Sequence, residues 1–212
     1  MKMWTLAAVL AAFAGAACAG YVNRPRPDYA KGHFTRAREL ALNRTKDLPP
    51  DAFVVFGDSI VERQRFERLC GLPVLNAGIG SARAADILPI VAPIIERARP
   101  ARTVIAIGAN DFSSNTPTSI EDFAAKVTTA LKLLPPGVIV FGITAEKTEY
   151  AALTASANKV LEKLARAHGA VYVPPLDNRL TEDGLHLNVQ GLQAWKDRVE
   201  MACDEVQQTG MN

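Results

Sequence analysis

Acyl transfer needs a nucleophile, a base to take its proton, a group to hold that base, and donors for the oxygen that becomes negative. The chain offers a short list of side chains for each task. Ser59 stands in Gly57-Asp58-Ser59, directly after the apolar run Phe53-Val54-Val55-Phe56. There are three histidines. His33 falls in an N-terminal helical pattern. His168 ends another just before Gly169, where a helix C-terminus accounts for it. His186 remains, in the polar loop Asp183-Gly184-Leu185-His186. Asp183 precedes it by three residues, close enough in one turn to accept from the imidazole Nδ1–H. Candidate oxyanion donors are the Ser59 backbone N–H, at a helix start where partial positive charge gathers, the backbone N–H of Gly80 or Ser81, and the side-chain amide of Asn110. Taken singly, each has a plain structural explanation. Gly-Asp-Ser and Asn-Asp are common turns and caps, and Asp-x-x-His often caps a helix. Their weight depends on where the chain must put them.

Apolar strands alternate with helical patterns along the chain. Strands are expected at Phe53–Phe56, Pro73–Asn76, Arg102–Ile107, Val138–Ile143 and Ala170–Val173. Helices are expected near Tyr29–Arg44, Ile60–Leu69, Ala82–Arg97, Ile120–Leu134, Tyr150–His168 and Val189–Gln207. Pro89 and Pro93 are expected to kink the Ala82–Arg97 helix, and Ser119 to cap the one after it. This alternation predicts an α/β fold with a five-stranded parallel sheet covered on both faces, in a three-layer, flavodoxin-like arrangement. Gly57–Ser59, Asn76–Ser81 and Gly108–Asp111 each follow a parallel strand, and Asp183–His186 follows the last strand after a loop. All four then converge on the C-terminal edge of one sheet, where ligands bind in open α/β sheets.

Other chemistries fail on spacing or charge. The formal net charge is +2 with no basic run, so nucleic acid is not an expected partner. Gly78-x-Gly80 would need Gly or Ala at position 83 for a dinucleotide fingerprint, and Arg83 stands there. No phosphate loop and no His/Cys cluster of zinc spacing occurs. No cofactor and no metal is expected. Ser59 is not in a Gly-x-Ser-x-Gly elbow, because position 61 is Val61.

Phe56-Gly57-Asp58-Ser59-Ile60, Asn76 to Ser81, Gly108-Ala109-Asn110-Asp111 and Asp183-Gly184-Leu185-His186-Leu187 together resemble, in order and spacing, the four blocks of the SGNH/GDSL hydrolase superfamily. The resemblance spans roughly residues 51–203. It implies an α/β/α sandwich, a Ser-His-Asp mechanism without metal, and ester hydrolysis. In that superfamily the second block usually ends in a Gly whose backbone N–H enters the oxyanion hole. Here that place falls on Ser81, with Gly80 just before it, so either can be the donor. A side chain there narrows the room near the acyl carbon and favours a small group such as acetyl. The expected function is an exported serine esterase acting on a short-acyl ester. The alternatives are an O-acyltransferase on a surface glycan and a lysophospholipase- or thioesterase-type hydrolase. The loops Phe112–Ser119 and Thr144–Tyr150 carry several small polar residues together with Glu146 and Lys147, which points to a polar substrate such as an acetylated carbohydrate.

The chain has 212 residues, enough for one domain with a full core behind a leader. Met1-Lys2-Met3 and the apolar run Trp4–Ala19 read as a secretory signal peptide over 1–19. A second reading makes Gly15-Ala16-Ala17-Cys18 a lipoprotein signal over 1–17, with a lipid anchor at Cys18 as the one membrane attachment. The expected location is periplasmic or secreted. Residues 20–50 are expected to form a linker and an N-terminal helix, and 51–208 the hydrolase domain. Three cysteines occur. With Cys18 removed or lipidated, Cys70 and Cys203 are left as a pair, and in an exported protein they are expected to form a disulfide.

Overall fold

In the computed structural model the described residues are 29–113, 117–144 and 151–209. The expected leader, the Cys18 anchor, the linker to residue 28 and parts of both pocket-shaping loops lie outside them. The chain divides into two units, 1–36 and 37–212. Helix α1 (Tyr29–Arg44) has the expected bounds, and its His33 ring meets Phe34 edge to face at 5.4 Å.

The second unit is built on a sheet. Its strands are β1 (Phe53–Gly57), β2 (Arg68–Leu69), β3 (Leu72–Gly78), β4 (Arg102–Ala106), β5 (Val138–Phe141) and β6 (Val171–Val173). Their spatial order is β2-β3-β1-β4-β5-β6. The five longer strands are parallel and follow the flavodoxin-like order. The sheet has six strands rather than the expected five, because β2 pairs antiparallel with β3 at the edge.

β2 also corrects the helix expected at Ile60–Leu69. Helix α2 is one turn, Ser59–Glu62. The Asn76 side-chain amide in β3 donates to the carbonyls of Val61 (2.7 Å) and Gln64 (3.0 Å), which diverts the chain after one turn. Phe66 and Leu69, three apart, suited a helix face but serve an extended segment. Cys70 (φ 52°) and Gly71 (φ 76°) then make a two-residue left-handed turn into β3.

The remaining helices are α3 (Ala84–Ala98), α4 (Ala109–Phe112), α5 (Ile120–Leu133), α6 (Ala151–Ala167) and α7 (Val189–Thr209). Helix α3 runs through Pro89 and Pro93; it buries Ile87, Ile90, Val91 and Ile94, while Pro89 is exposed. Ser119 caps α5 by accepting from the Asp122 N–H at 3.1 Å. His168 sits at the end of α6 with Nδ1 at 2.9 Å from the Leu164 carbonyl, in keeping with an end-of-helix role.

One face of β1 and its neighbours (Phe53, Val55, Val104, Ile139, Phe141) packs with Trp195, Val199 and Cys203 of α7. Trp195 is fully buried and stacks on Phe141 at 5.1 Å and Phe66 at 5.9 Å. The alternate residues Val54, Phe56, Ile105 and Val140 are also buried, so the sheet is covered on both faces. Helix α3 packs on α5 and α5 on α6. A disulfide joins Cys70 to Cys203, with Cα atoms 6.4 Å apart. Among the described residues no helix is long and apolar enough to cross a membrane.

Candidate active site

Three adjacent parallel strands end in register, with Gly57 of β1 opposite Gly78 of β3 and Ala106 of β4. The loops that follow them carry Ser59, Gly80-Ser81 and Asn110, so the nucleophile candidate lies between the two donor loops. Gly57 is required by closeness. A Cβ there would stand 2.3 Å from Val61 Cγ2 and 2.4 Å from the Ala106 carbonyl oxygen. Asp58, the N-cap of α2, accepts from the Ile60 N–H at 2.9 Å. Ser59 is thereby held as the first residue of a helical turn, half-buried at the sheet edge.

The fourth loop reaches Ser59 from between β6 and α7. Ser59 Oγ lies 3.0 Å from His186 Nε2. His186 Nδ1 lies 2.6 Å from Asp183 Oδ2. The second Asp183 oxygen accepts the backbone N–H groups of His186 (2.7 Å) and Leu185 (2.9 Å). The loop is closed by Glu182 N–H donating to the His186 carbonyl and by a bridge between Thr181 and Leu187. An ionised carboxylate can only accept, so the imidazole proton sits on Nδ1 and the Nε2 lone pair faces the Ser59 hydroxyl. The hydrogen bond to the His186 ring, aided by the His186 N–H, holds the Asp183 carboxyl well below the usual carboxylate range. Asp183 therefore stays ionised through any ordinary working pH.

The donor loops are stapled to each other. Asn110, in α4, donates from Nδ2 to the Ala82 carbonyl at 3.1 Å, which uses one of its two amide hydrogens. Asp111 accepts the Ala84 N–H at 2.9 Å. In β3, Asn76 accepts the Gly78 N–H at 2.9 Å while gripping α2. A Cβ on Gly80 would stand 2.7 Å from Glu62 Oε2, the end of an exposed and flexible side chain. Ser81 adopts φ 61°, the left-handed conformation that glycine takes most readily, and its side chain is exposed. Ser81 thus occupies a glycine-like backbone position but does not crowd the interior.

Sequence reasoning singled out Ser59, His186, Asp183 and Asn110, and the structure brings the first three into one hydrogen-bonded line. It missed Asn76 and the depth at which Asp58 and Asp111 lie. Asn76, a polar residue inside a strand and half-buried, was the available signal for a brace. Asp58 and Asp111 are each 1% exposed, which no local pattern announced. Burial pushes the Asp58 carboxyl up to about 7; the Asp111 charge adds to this, while the N–H groups of Ile60 and Ala109 oppose it. Burial also raises Asp111.

The raised Asp58 value has a signed consequence. An unfolded carboxyl titrates near 3.9, so between about pH 4 and 7 the folded chain keeps a proton that the unfolded chain releases. Stability is lost as pH rises through that window, and the loss is complete above it. An amide does not titrate. Asp58→Asn is expected to gain on the wild type between pH 4 and pH 8, by up to roughly 4 kcal/mol. Denaturation midpoints measured at both pH values check this, and a difference independent of pH refutes it.

Among the described residues, no group of three or more His, Cys, Asp or Glu side chains is clustered as a bound metal would need.

An α/β sheet of this order, with these four loops at its C-terminal edge, is the SGNH hydrolase fold. The chain belongs to the GDSL-like lipase/acylhydrolase family, whose sequence profile matches residues 55–194. Among solved structures it is similar to a GDSL-like lipase from Bacteroides thetaiotaomicron, with a TM-score of 0.67 and 19% identity over 81% of this chain and 98% of that one. It is similar to the lipase/acylhydrolase from Enterococcus faecalis, with a TM-score of 0.62 and 19% identity over 73% of this chain and 96% of that one. It is also similar to an acetylxylan esterase from Geobacillus stearothermophilus, solved as a catalytic mutant, with a TM-score of 0.60 and 16% identity over 74% of this chain and 96% of that one. At these identities the likeness is one of fold. A comparison with curated protein sequences finds no match.

Proposed function

We propose that this protein is an exported serine esterase that removes a short acyl group, of acetyl type, from a carbohydrate. The observation that carries the proposal is the unbroken line from Ser59 Oγ to His186 Nε2 (3.0 Å) and from His186 Nδ1 to Asp183 Oδ2 (2.6 Å). His186 takes the hydroxyl proton as Ser59 Oγ attacks the ester carbonyl carbon. The carbonyl oxygen becomes an oxyanion, met by the backbone N–H groups of Ser59 and of Gly80 or Ser81 and by the free amide hydrogen of Asn110. The imidazolium, held against ionised Asp183, returns its proton to the departing alcohol oxygen, leaving an acyl-serine. Water then attacks with His186 again as base; the acid leaves and Ser59 recovers its proton.

The acetylated carbohydrate rests on the polar residues of the neighbouring loops and on the acetylxylan esterase among the similar folds. Export rests on the signal-like N-terminus and on the Cys70–Cys203 disulfide, since structural disulfides persist in oxidising compartments.

The test has two arms. A fluorophosphonate probe is expected to label Ser59. p-Nitrophenyl acetate is expected to be cleaved with higher kcat/KM than the butyrate or octanoate, and acetylated xylan to release acetate. No label on Ser59 refutes the mechanism. Transfer of the acyl group to an added sugar without release of free acid refutes the hydrolase in favour of the acyltransferase.

A further inference from the structure

A small cavity lies beside the nucleophile, at the C-terminal ends of β1, β4 and β5. Its walls include Asp58 and Ile60, the two neighbours of Ser59, and Ala109, the neighbour of Asn110. Ala106, Ile107, Phe141, Ile143 and Trp195 supply the rest of its apolar surface. It leaves about 20 Å³ for the centre of a water-sized sphere, room for one small group. Ser81 is not among its walls.

We infer that this cavity is the acyl pocket and that Ile143, with Ile107 beside it, limits the acyl group to about the size of acetyl; the inference rests on Ser59 being the nucleophile. An acyl carbon bonded to Ser59 Oγ, with its oxygen toward the Ser59 N–H and Asn110, has a third substituent to place. The cavity is walled by the chain neighbours of both residues that fix this geometry, Asp58 and Ile60 on either side of Ser59 and Ala109 before Asn110, so the acyl chain enters there. A methyl group fits, and each further methylene must take space now filled by Ile107 or Ile143.

Ile143 is a firm wall. It follows β5, is 6% exposed, and both its backbone groups are held by one side chain of α6. Its N–H donates to Asn158 Oδ1 at 2.7 Å, and its carbonyl accepts from Asn158 Nδ2 at 2.8 Å. Its side chain reaches across to β4's loop, where a Cβ on Gly108 (φ 128°) would stand 2.5 Å from Ile143 Cδ1. The restriction that the sequence placed on Ser81 therefore falls on Ile143, a residue in no recognisable motif. Asn158 acts through Ile143 as a positioning residue.

The experiment compares Ile143→Ala and Ile107→Ala with the wild type on p-nitrophenyl acetate, butyrate and hexanoate. Thermal melts identify which variants are folded, and fluorophosphonate labelling of Ser59 runs alongside. A folded, labelled variant is expected to raise the butyrate-to-acetate ratio of kcat/KM by roughly tenfold or more. Unchanged ratios in folded, labelled variants overturn the pocket while leaving the serine mechanism standing. A wild-type protein that takes no label on Ser59 overturns both.

Discussion

Ser59→Ala is expected to fold as the wild type does and to lose about 10⁴–10⁶ of kcat on a short p-nitrophenyl ester. The two halves of that expectation have separate grounds. The Ser59 hydroxyl forms its hydrogen bond with His186 Nε2, in a half-buried site at the sheet edge. The turn itself is set by Gly57 and by the Asp58 cap, which the substitution leaves in place. Melting should therefore shift by little. Chemistry loses its nucleophile outright, and what survives is binding and the oxyanion donors acting on water. Asp183→Asn gives a graded companion. An amide can still accept the two backbone N–H groups through its oxygen, but its nitrogen would face Nδ1 as a donor. The imidazole is then driven toward the wrong tautomer, and a loss of about 10⁴ in kcat is expected. Ester hydrolysis at the wild-type rate by a folded Ser59→Ala protein would mean that the nucleophile lies elsewhere.

The parts of this site that sequence made legible are those set by local rules. The apolar run Phe53–Phe56 stopping at Gly57 fixes a strand and a sharp turn, and Asp183 can meet His186 because three residues in one loop bring them together. The alternation of strands and helices then places loops far apart in sequence at a common edge. The short α2 was not legible, because its stop comes from Asn76, across the sheet in β3, and not from Gln64 or Arg65. The two buried carboxyls were hidden for a similar reason. Asp58 and Asp111 lose their water through packing of three loops, and Gly-Asp-Ser or Asn-Asp as strings do not encode that. Ser81 was legible as a departure from glycine but not in its effect. Its left-handed φ turns the side chain to solvent, so the expected crowding falls to Ile143.

Removing the Cys70–Cys203 bridge is expected to cost stability on a scale few other single changes would reach, while sparing catalysis. The cysteines are 133 residues apart in sequence. Closing a loop of that length removes enough unfolded-chain entropy to contribute up to about 5 kcal/mol in the chain-entropy account. For a domain of this size that corresponds to a fall in melting temperature of about 10–20 °C. One end of the bridge is the left-handed turn between β2 and β3, at the edge of the sheet, and the other is far along α7. Helix α7 starts at Val189, three residues after His186, and Cys203 lies about 21 Å further along its axis at 1.5 Å per residue. The bridge thus pins the sheet edge to the end of α7 remote from the catalytic loop, whose own contacts (Thr181 with Leu187, Glu182 with His186) do not involve it. Cys70→Ser, Cys203→Ser or full reduction should lower the melting point together, and at 25 °C each protein should keep near wild-type kcat. Both cysteines should resist thiol reagents in the denatured, unreduced protein. Free thiols at both positions, or a melting point indifferent to reductant, would exclude the bridge; a loss of kcat without a loss of stability would mean that α7 transmits strain to His186 along its length.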